Sequence, residues 1–352
     1  MPDGPPTTDI SRPKVGKVPY APQLISSCTV PGTAALTFDD GPNRYTSDLL
    51  GLLDRYNAKA TFFVTAINNG KGQIDDPSLP WLELIQHMQL KGHQVASHTW
   101  SHPELNQLSP EQRRDELTKT EAALRNILGA FPTYMRPPYS RCDGACLNDL
   151  AEFGYHVVLY NIDTNDYRND DPNAIQKSKD VFDHALAPFK STEKSWLVIA
   201  HDVHEQTVHN LTEHMLKKLS KDGYRPVTVG ECLGDPSELW YRHDTRSSNF
   251  GKPSANETSC GKRHAHACIG DDFSGSRNGY CRDSSDNCET GSQDSATGNT
   301  TIPHGNGTIS GNATQGVQSG GGRVTSLAVA VLVPSSLAII LTVSALTMAL
   351  PA

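Results

Sequence analysis

Between about Thr33 and Leu233 short apolar runs alternate with longer stretches in which apolar residues recur at helical spacing. The runs AALTF (34–38), ATFFVT (60–65), QVASHT (94–99), TYMRPP (133–138), HVVLYNI (156–162), SWLVIA (195–200) and RPVTV (225–229) predict seven strands. Segments 45–56, 81–91, 109–128 and 207–221 carry the helical period between them. Ser109-Pro110 predicts a helix start, with Glu111 placing a negative charge in the first turn. Strands and helices alternating in this way predict an α/β fold built on a parallel sheet or barrel.

After Gly234 the pattern dissolves into Ser, Asn, Asp, Gly and Thr, interrupted by Cys260, Cys268, Cys281 and Cys288. Residues 289–323 read as a glycosylatable linker. From Val324 to Ala352 the chain is almost entirely apolar or small, with no charge after Arg323, a length that can span a bilayer. Small residues (Gly311, Asn312, Ala313, with Ser319 to Gly321 as a second candidate) and a polar spacer precede this tail, and no basic stop follows it. A lipid (GPI) anchor signal is therefore expected rather than a retained helix. Residues 1–27 contain no apolar core of a secretory leader, so a leader is expected to be missing from this sequence.

Composition changes the picture in two ways. With 36% hydrophobic residues the 352-residue chain can bury a core, and a net charge of -8 without a long Lys/Arg cluster excludes an electrostatic nucleic-acid binder. Eight cysteines, with Cys28, Cys142, Cys146 and Cys232 in the first part, point to disulfides and an oxidising compartment. Five N-x-Ser/Thr sequons, at Asn210, Asn256, Asn299, Asn306 and Asn312, point the same way.

Ligands of parallel α/β folds sit at the carboxyl ends of the strands. Five of the expected strands end in ionisable residues: Asp39-Asp40, His98 with His102, Arg136, Asp163, and His201-Asp202. His98 and His102 have the i, i+4 spacing at which two imidazoles meet one metal, and a carboxylate would complete a facial set of three. Thr99 follows His98 where a zincin would carry glutamate, so the general base must come from another strand. Taken singly, the Asp pair also suits a turn or helix cap, the His pair an ordinary surface pair, and RPPY a rigid loop.

Together TFDDGP, HTWSH, RPPY, DTNDY and VIAHD resemble the five motifs of the polysaccharide deacetylase (NodB-homology) family, carbohydrate esterase family four, over residues 28–235. The longer stretches SSCTVPGTAALTFDDGP and WLVIAHDVH look most like fungal chitin deacetylases. The resemblance implies a deformed (β/α) barrel of about seven strands and a divalent metal, zinc with cobalt as the alternative, on Asp40, His98 and His102. It casts Asp39 as general base and His201 as general acid, with the backbone N–H of Tyr139 at the oxyanion. In the same terms Arg136 would hold Asp39 ionised, Asp166 and Asp163 would tune His201, Tyr167 would face the sugar, and Ile199 would line a pocket for the acetyl methyl. Tyr167 stands where the family commonly has Trp, and Ser140 where Gly is frequent. Bridges Cys28–Cys232 and Cys142–Cys146 are implied as well. Among the other histidines, His93, His184, His204 and His209 are expected to be surface or structural, with His204 near enough to touch substrate.

Residues 260–288 resemble a degenerate hevein-type chitin-binding module. They open on Cys-Gly and keep Gly279-Tyr280-Cys281, but lack the adjacent Cys-Cys pair and have Asn278 and Asn287 where that family offers stacking aromatics. His264 and His266 are expected to be solvated rather than metal ligands. The expected organisation is thus an N-terminal extension (1–27), a catalytic domain (28–235), a linker (236–259), the cysteine-rich segment, a second linker (289–323) and the tail (324–352). The implied function is hydrolysis of N-acetyl groups of chitin or its oligomers by a secreted, wall- or membrane-tethered monomer. An O-acetyl esterase acting on xylan or another glycan and a non-catalytic chitin-binding wall protein are the rivals.

Overall fold

A computed structural model describes residues 1–244 and two short strands, Phe273–Gly275 and Cys281–Asp283, that pair antiparallel. The apolar tail, the pairing of the last four cysteines and four of the five sequons lie outside the described residues, among which no helix is long and apolar enough to cross a membrane.

The strands are β1 (Leu24–Ile25), β2 (Thr33–Asp39), β3 (Thr61–Val64), β4 (Gln94–Ser97), β5 (Ala130–Pro132), β6 (Tyr134–Met135), β7 (His156–Val158), β8 (Ile162–Asp163), β9 (Trp196–His201), β10 (Arg225–Val227) and β11 (Tyr241–His243). The helices are α1 (Thr46–Arg55), α2 (Trp81–Leu90), α3 (Pro110–Leu128), α4 (Gly144–Glu152), α5 (Gln176–Leu186), α6 (Thr212–Lys221) and α7 (Val229–Cys232). Nine strands form one parallel sheet in the order β1-β7-β6-β4-β3-β2-β9-β8, with β10 also on β2. β10 pairs with Thr33–Ala35 and β3 with Thr37–Asp39, so both lie along one edge of β2, and β9 holds the other. β1 and β8 end the path, so the curled sheet is an open barrel.

Two strands more than the sequence pattern suggests have simple causes. HVVLYNI is one apolar run but two strands, β7 and β8, that stand at opposite ends of the sheet order. β1 is two residues long, too short to show a period.

Every residue of β2 is buried, because a parallel strand covered on both faces needs apolar groups on both. Leu36 and Phe38 join Phe62, Val64 and Val198 against Leu49, Leu53, Met88, Phe182 and Met215 of the surrounding helices. Ala35, Phe63, Ala96, Tyr134 and Leu197 form a second cluster, with Cys28 and Cys232. The period of two therefore sends Thr37 and Asp39 to the Ala35 side, into the barrel. α3 is the longest helix among the described residues, at 19 residues, and its ends explain its length. Ser109 and Gln112 form a reciprocal capping box, Pro110 opens the helix, and Gly129 closes it at a φ of 73°.

The first residues are clamped to α3. Glu121, fully buried, accepts from Arg12 (2.7 and 2.6 Å), the Thr7 hydroxyl (2.5 Å) and the Tyr155 hydroxyl (2.7 Å). Buried Arg125 donates to the carbonyls of Asp3 and Pro5. At the other end β11 pairs with β5, which ties the described part of the expected 236–259 linker to the same unit. Glu121→Ala leaves the Arg12 guanidinium buried without its partner and is expected to cost about 3–5 kcal/mol in urea unfolding. A loss below about 1 kcal/mol would show that solvent screens the clamp.

Candidate active site

Asp39 ends β2 directly opposite His201, the last residue of β9, so the two side chains enter the barrel mouth together. The chain then reverses. Asp40 has a φ of 75°, and Gly41 allows the turn because a Cβ there would lie 2.1 Å from Asp202 Oδ2. Among the described residues, and apart from three asparagines, the non-glycine residues with left-handed φ are Asp40, Thr99, His102, Tyr139 and Ser140, all in the strand-end loops around this mouth. Each costs on the order of 1–3 kcal/mol and persists because its surroundings hold it, which is how strained backbone concentrates at reactive sites.

Ligand atoms of Asp40, His98 and His102 all lie within 4.8 Å of one another. His102 Nε2 is 3.2 Å and His98 Nε2 3.7 Å from Asp40 Oδ1. His98 Nδ1–H donates to the Arg136 carbonyl at 2.6 Å, which fixes the tautomer and leaves the Nε2 lone pair aimed at the carboxylate. Burial depresses His98 to about 3, so its imidazole is neutral and ready to ligate. Asp40 Oδ1 is buried with no hydrogen-bond donor, an unsatisfied position that a cation would fill. The donor set, two imidazoles and one carboxylate, suits zinc or a similar divalent ion.

Asp39 is held apart from that set. The Arg136 guanidinium, fully buried, donates to Asp39 Oδ1 at 2.6 Å and to Thr37 Oγ1 at 2.7 Å, and also to the Val158 and Leu159 carbonyls. It also lies 4.1 Å from the Phe63 ring centroid, a cation–π contact. Asp39 Oδ2 stands 3.6 Å from His98 Nε2. Burial pushes the Asp39 carboxyl up, against the pull of Arg136 and His201, which sets a basic rather than an inert carboxylate.

Across the mouth, His201 Nδ1–H donates to Asp166 Oδ1 at 2.8 Å and its backbone N–H to Oδ2 at 2.6 Å. The Thr207 hydroxyl adds a third bond to Oδ2 at 2.8 Å from a π-helical turn, Thr207–Leu211. Burial by itself would lower His201, but the Asp166 charge and hydrogen bond outweigh it and raise the imidazolium to about 10. Asp166 remains below its usual range despite burial, for the reciprocal reason. Asp166→Asn removes the charge while burial stays. The alkaline limb of the pH–rate profile should therefore fall from near 10 to His201's ordinary value of 6.5 or below, with most activity lost by pH 8.5. An unmoved alkaline limb would assign that limb to another group.

Asp39, Asp40, His98, His102 and His201 line one cleft of about 510 Å³ with Tyr139, Tyr160, Asp163, Tyr167, Arg168, Ile199 and His204, and Arg136 and Asp166 stand behind that wall. Tyr139 and Tyr167 are exposed, whereas Ile199 is buried at its wall. Asp163 lines the cleft, and its Oδ1 accepts from the Asn165 N–H; the contacts to His201 belong to Asp166. His204 is in the cleft, paired with Asp170 at 3.1 Å, while His93 is buried and His209 pairs with Asp48 outside it. Cys28–Cys232 and Cys142–Cys146 are both bonded, the second tying the loop that follows Tyr139 to the first turn of α4. Of the sequons, Asn210 is described and exposed on the π-helical turn. Sequence reasoning passed over Thr37 and Thr207. Thr37 carried a signal, two residues before Asp39 on the same strand face, but Thr207 carried none.

A family model described as polysaccharide deacetylase matches residues 26–158. A chitin deacetylase of Colletotrichum lindemuthianum is 44% identical over 218 residues, covering 62% of this chain and 86% of that protein. One from Pestalotiopsis sp is 40% identical over 275 residues, 77% of this chain and 88% of that protein. The solved structure of the chitin deacetylase from the fungal pathogen Colletotrichum lindemuthianum matches with a TM-score of 0.61 at 43% identity, over 64% of this chain and 98% of that chain. With the fold and the five strand ends alike in place, the chain belongs to the polysaccharide deacetylase family.

Proposed function

We propose that the protein hydrolyses the N-acetyl groups of N-acetylglucosamine units in chitin or chitooligosaccharides, releasing acetate and leaving a free amine. The observation that carries this reading is the juxtaposition, in one cleft, of a cation-ready Asp40–His98–His102 triangle, a carboxylate held by Arg136, and an imidazolium held by Asp166. Relatives named chitin deacetylase at 40–44% identity support the choice of substrate.

Asp40, His98 and His102 would hold a divalent cation, zinc by the donor set, which would supply Lewis acidity to the acetamide carbonyl and to a water molecule. Asp39 takes the proton of the attacking water, and Arg136 keeps its carboxylate aimed. Attack at the carbonyl carbon creates a tetrahedral oxyanion, for which the Tyr139 backbone N–H is the proposed donor. His201 gives its proton to the departing nitrogen as the C–N bond breaks, and Asp166 stabilises the imidazolium until then. Ile199 meets the acetyl methyl, the Tyr167 ring meets a sugar face, and Asp163 shapes the loop that carries both Asp166 and Tyr167.

The disulfides and sequons support an extracellular or cell-wall setting, and the apolar 324–352 tail supports attachment through a lipid anchor. Mass spectrometry of products from chitin oligomers of defined length, with and without zinc and against acetylated xylan, tests the reading. Successive loss of acetyl groups from the oligomers, abolished by a chelator, is expected. Turnover of the xylan ester alone would sink the chitin assignment.

A further inference from the structure

The turn that aims Asp40 is held by a side chain outside the five motifs. Lys71 is 8% exposed, and its ammonium donates to the carbonyls of Asp40 (3.0 Å) and Gly41 (2.7 Å) and to Thr65 Oγ1 (2.9 Å). All three of its donor positions are thereby used. Thr65 completes the ring: its hydroxyl donates to the Asp40 carbonyl at 2.8 Å, and its N–H to the Gly41 carbonyl at 3.2 Å. Asp202 fills the space where a Gly41 side chain would stand, and its Oδ2 accepts from the Thr46 hydroxyl at 2.5 Å. Lys71 is itself anchored, since its carbonyl accepts from Trp81 Nε1 at 2.7 Å.

This cage grips the carboxylate ligand, whose backbone is left-handed like that of His102 and whose Oδ1 is buried without a donor. An aspartate in that conformation returns to an ordinary φ unless its neighbours prevent it. The side chain leaves the same Cα, so a backbone relaxation would swing Asp40 Oδ1 away from His98 and His102 Nε2. An ammonium that grips the Asp40 and Gly41 carbonyls restrains the two peptides that follow that rotation, while β2 and its pairing with β9 hold the chain before it.

We propose that Lys71 is a positioning residue for the metal site, preorganising the Asp40–Gly41 turn so that the Asp40 carboxylate meets the two imidazoles. The inference rests on the metal reading of Asp40, His98 and His102. It adds a residue that none of the five strand ends contains.

The test uses the full chain stripped of metal, titrated with cobalt against a competing chelator and followed by the visible absorption of the bound ion, with thermal unfolding of the metal-free protein in parallel. Lys71→Met keeps an unbranched stem of four heavy atoms and deletes the ammonium with its three donors. In that variant each carbonyl retains its bond from Thr65, so the fold is expected to survive. Its cobalt affinity should fall about 10- to 100-fold, the range for removing a group that orients a ligand. Thr65→Val should weaken binding in the same direction by a smaller factor, and it carries the test if Lys71→Met does not fold. Cobalt affinity equal to or tighter than the parent's, in a folded Lys71→Met or in Thr65→Val when that variant stands in, overturns the proposal. A fall in the unfolding midpoint without a change in affinity overturns it too, because that is what a merely structural lysine gives. Failure of the parent chain to bind cobalt would instead overturn the metal reading itself.

Discussion

Asp39→Asn is expected to lower kcat on a chitin oligosaccharide by about 10²- to 10⁴-fold, the contribution of a positioned general base. The substitution keeps the shape of the side chain and its ability to accept from Arg136, which stands 2.6 Å away. It removes only the basicity. Metal affinity should stay within a few-fold, because Asp40, His98 and His102 are the residues grouped so that they could hold the ion. Steady-state kinetics beside cobalt titration therefore separates the two adjacent aspartates: Asp40→Asn should lose the metal, and Asp39→Asn should lose the rate. Unchanged kcat in Asp39→Asn would remove it from the base role.

Arg136→Met should damage stability and rate together. The guanidinium is fully buried and satisfies Asp39, Thr37 and two carbonyls, so its loss leaves a buried carboxylate and orphaned acceptors. Removing one partner of a buried ion pair costs about 3–5 kcal/mol, measurable as a shift of the urea midpoint at unchanged slope. The rate should also fall, since the carboxylate loses both its orientation and the charge that favours its ionised form. Arg136→Lys is not a conservative rescue. An ammonium reaches Asp39 or the carbonyls of Val158 and Leu159, but not the planar set of four acceptors that the guanidinium serves. If Arg136→Met unfolded at the parent's urea midpoint, the pair would be worth no more than a screened surface bridge.

Much of the site was legible because it sits at strand ends and strands have a period of two. Once AALTFD is a strand, Asp39 lies on the side of Thr37 and Ala35, and in VIAH His201 lies likewise on the side of Ile199. The spacing of His98 and His102 marked a shared ligand before any partner was known. Ser109-Pro110 marked the start of α3 through cap chemistry confined to four residues. Each of these signals is local, and local sterics and hydrogen bonding decide it.

Where the chain was misread, the deciding contact was distant. HVVLYNI is continuous in hydrophobicity, but Val157 pairs with Leu24 and Ile162 with Val198, so strand pairing splits the run. Asp163 and Asp166 are equivalent by composition. Only the approach of β9 gives Asp166 the backbone and imidazole donors of His201. Thr207 gains its role from a π-helical turn, and Lys71 from two carbonyls 30 and 31 residues away.

By itself, then, the sequence determined the alternation of strand and helix, the faces that Asp39 and His201 share with their strand neighbours, the ligand spacing of His98 and His102, and the resemblance to the family. Tertiary structure alone decided which carboxylate serves which base. Arg136 reaches Asp39 across 97 residues of chain, and Asp166 reaches His201 across 35. Strand order and register set those distances, and they follow from burying both faces of the whole sheet at once rather than from any one segment's pattern.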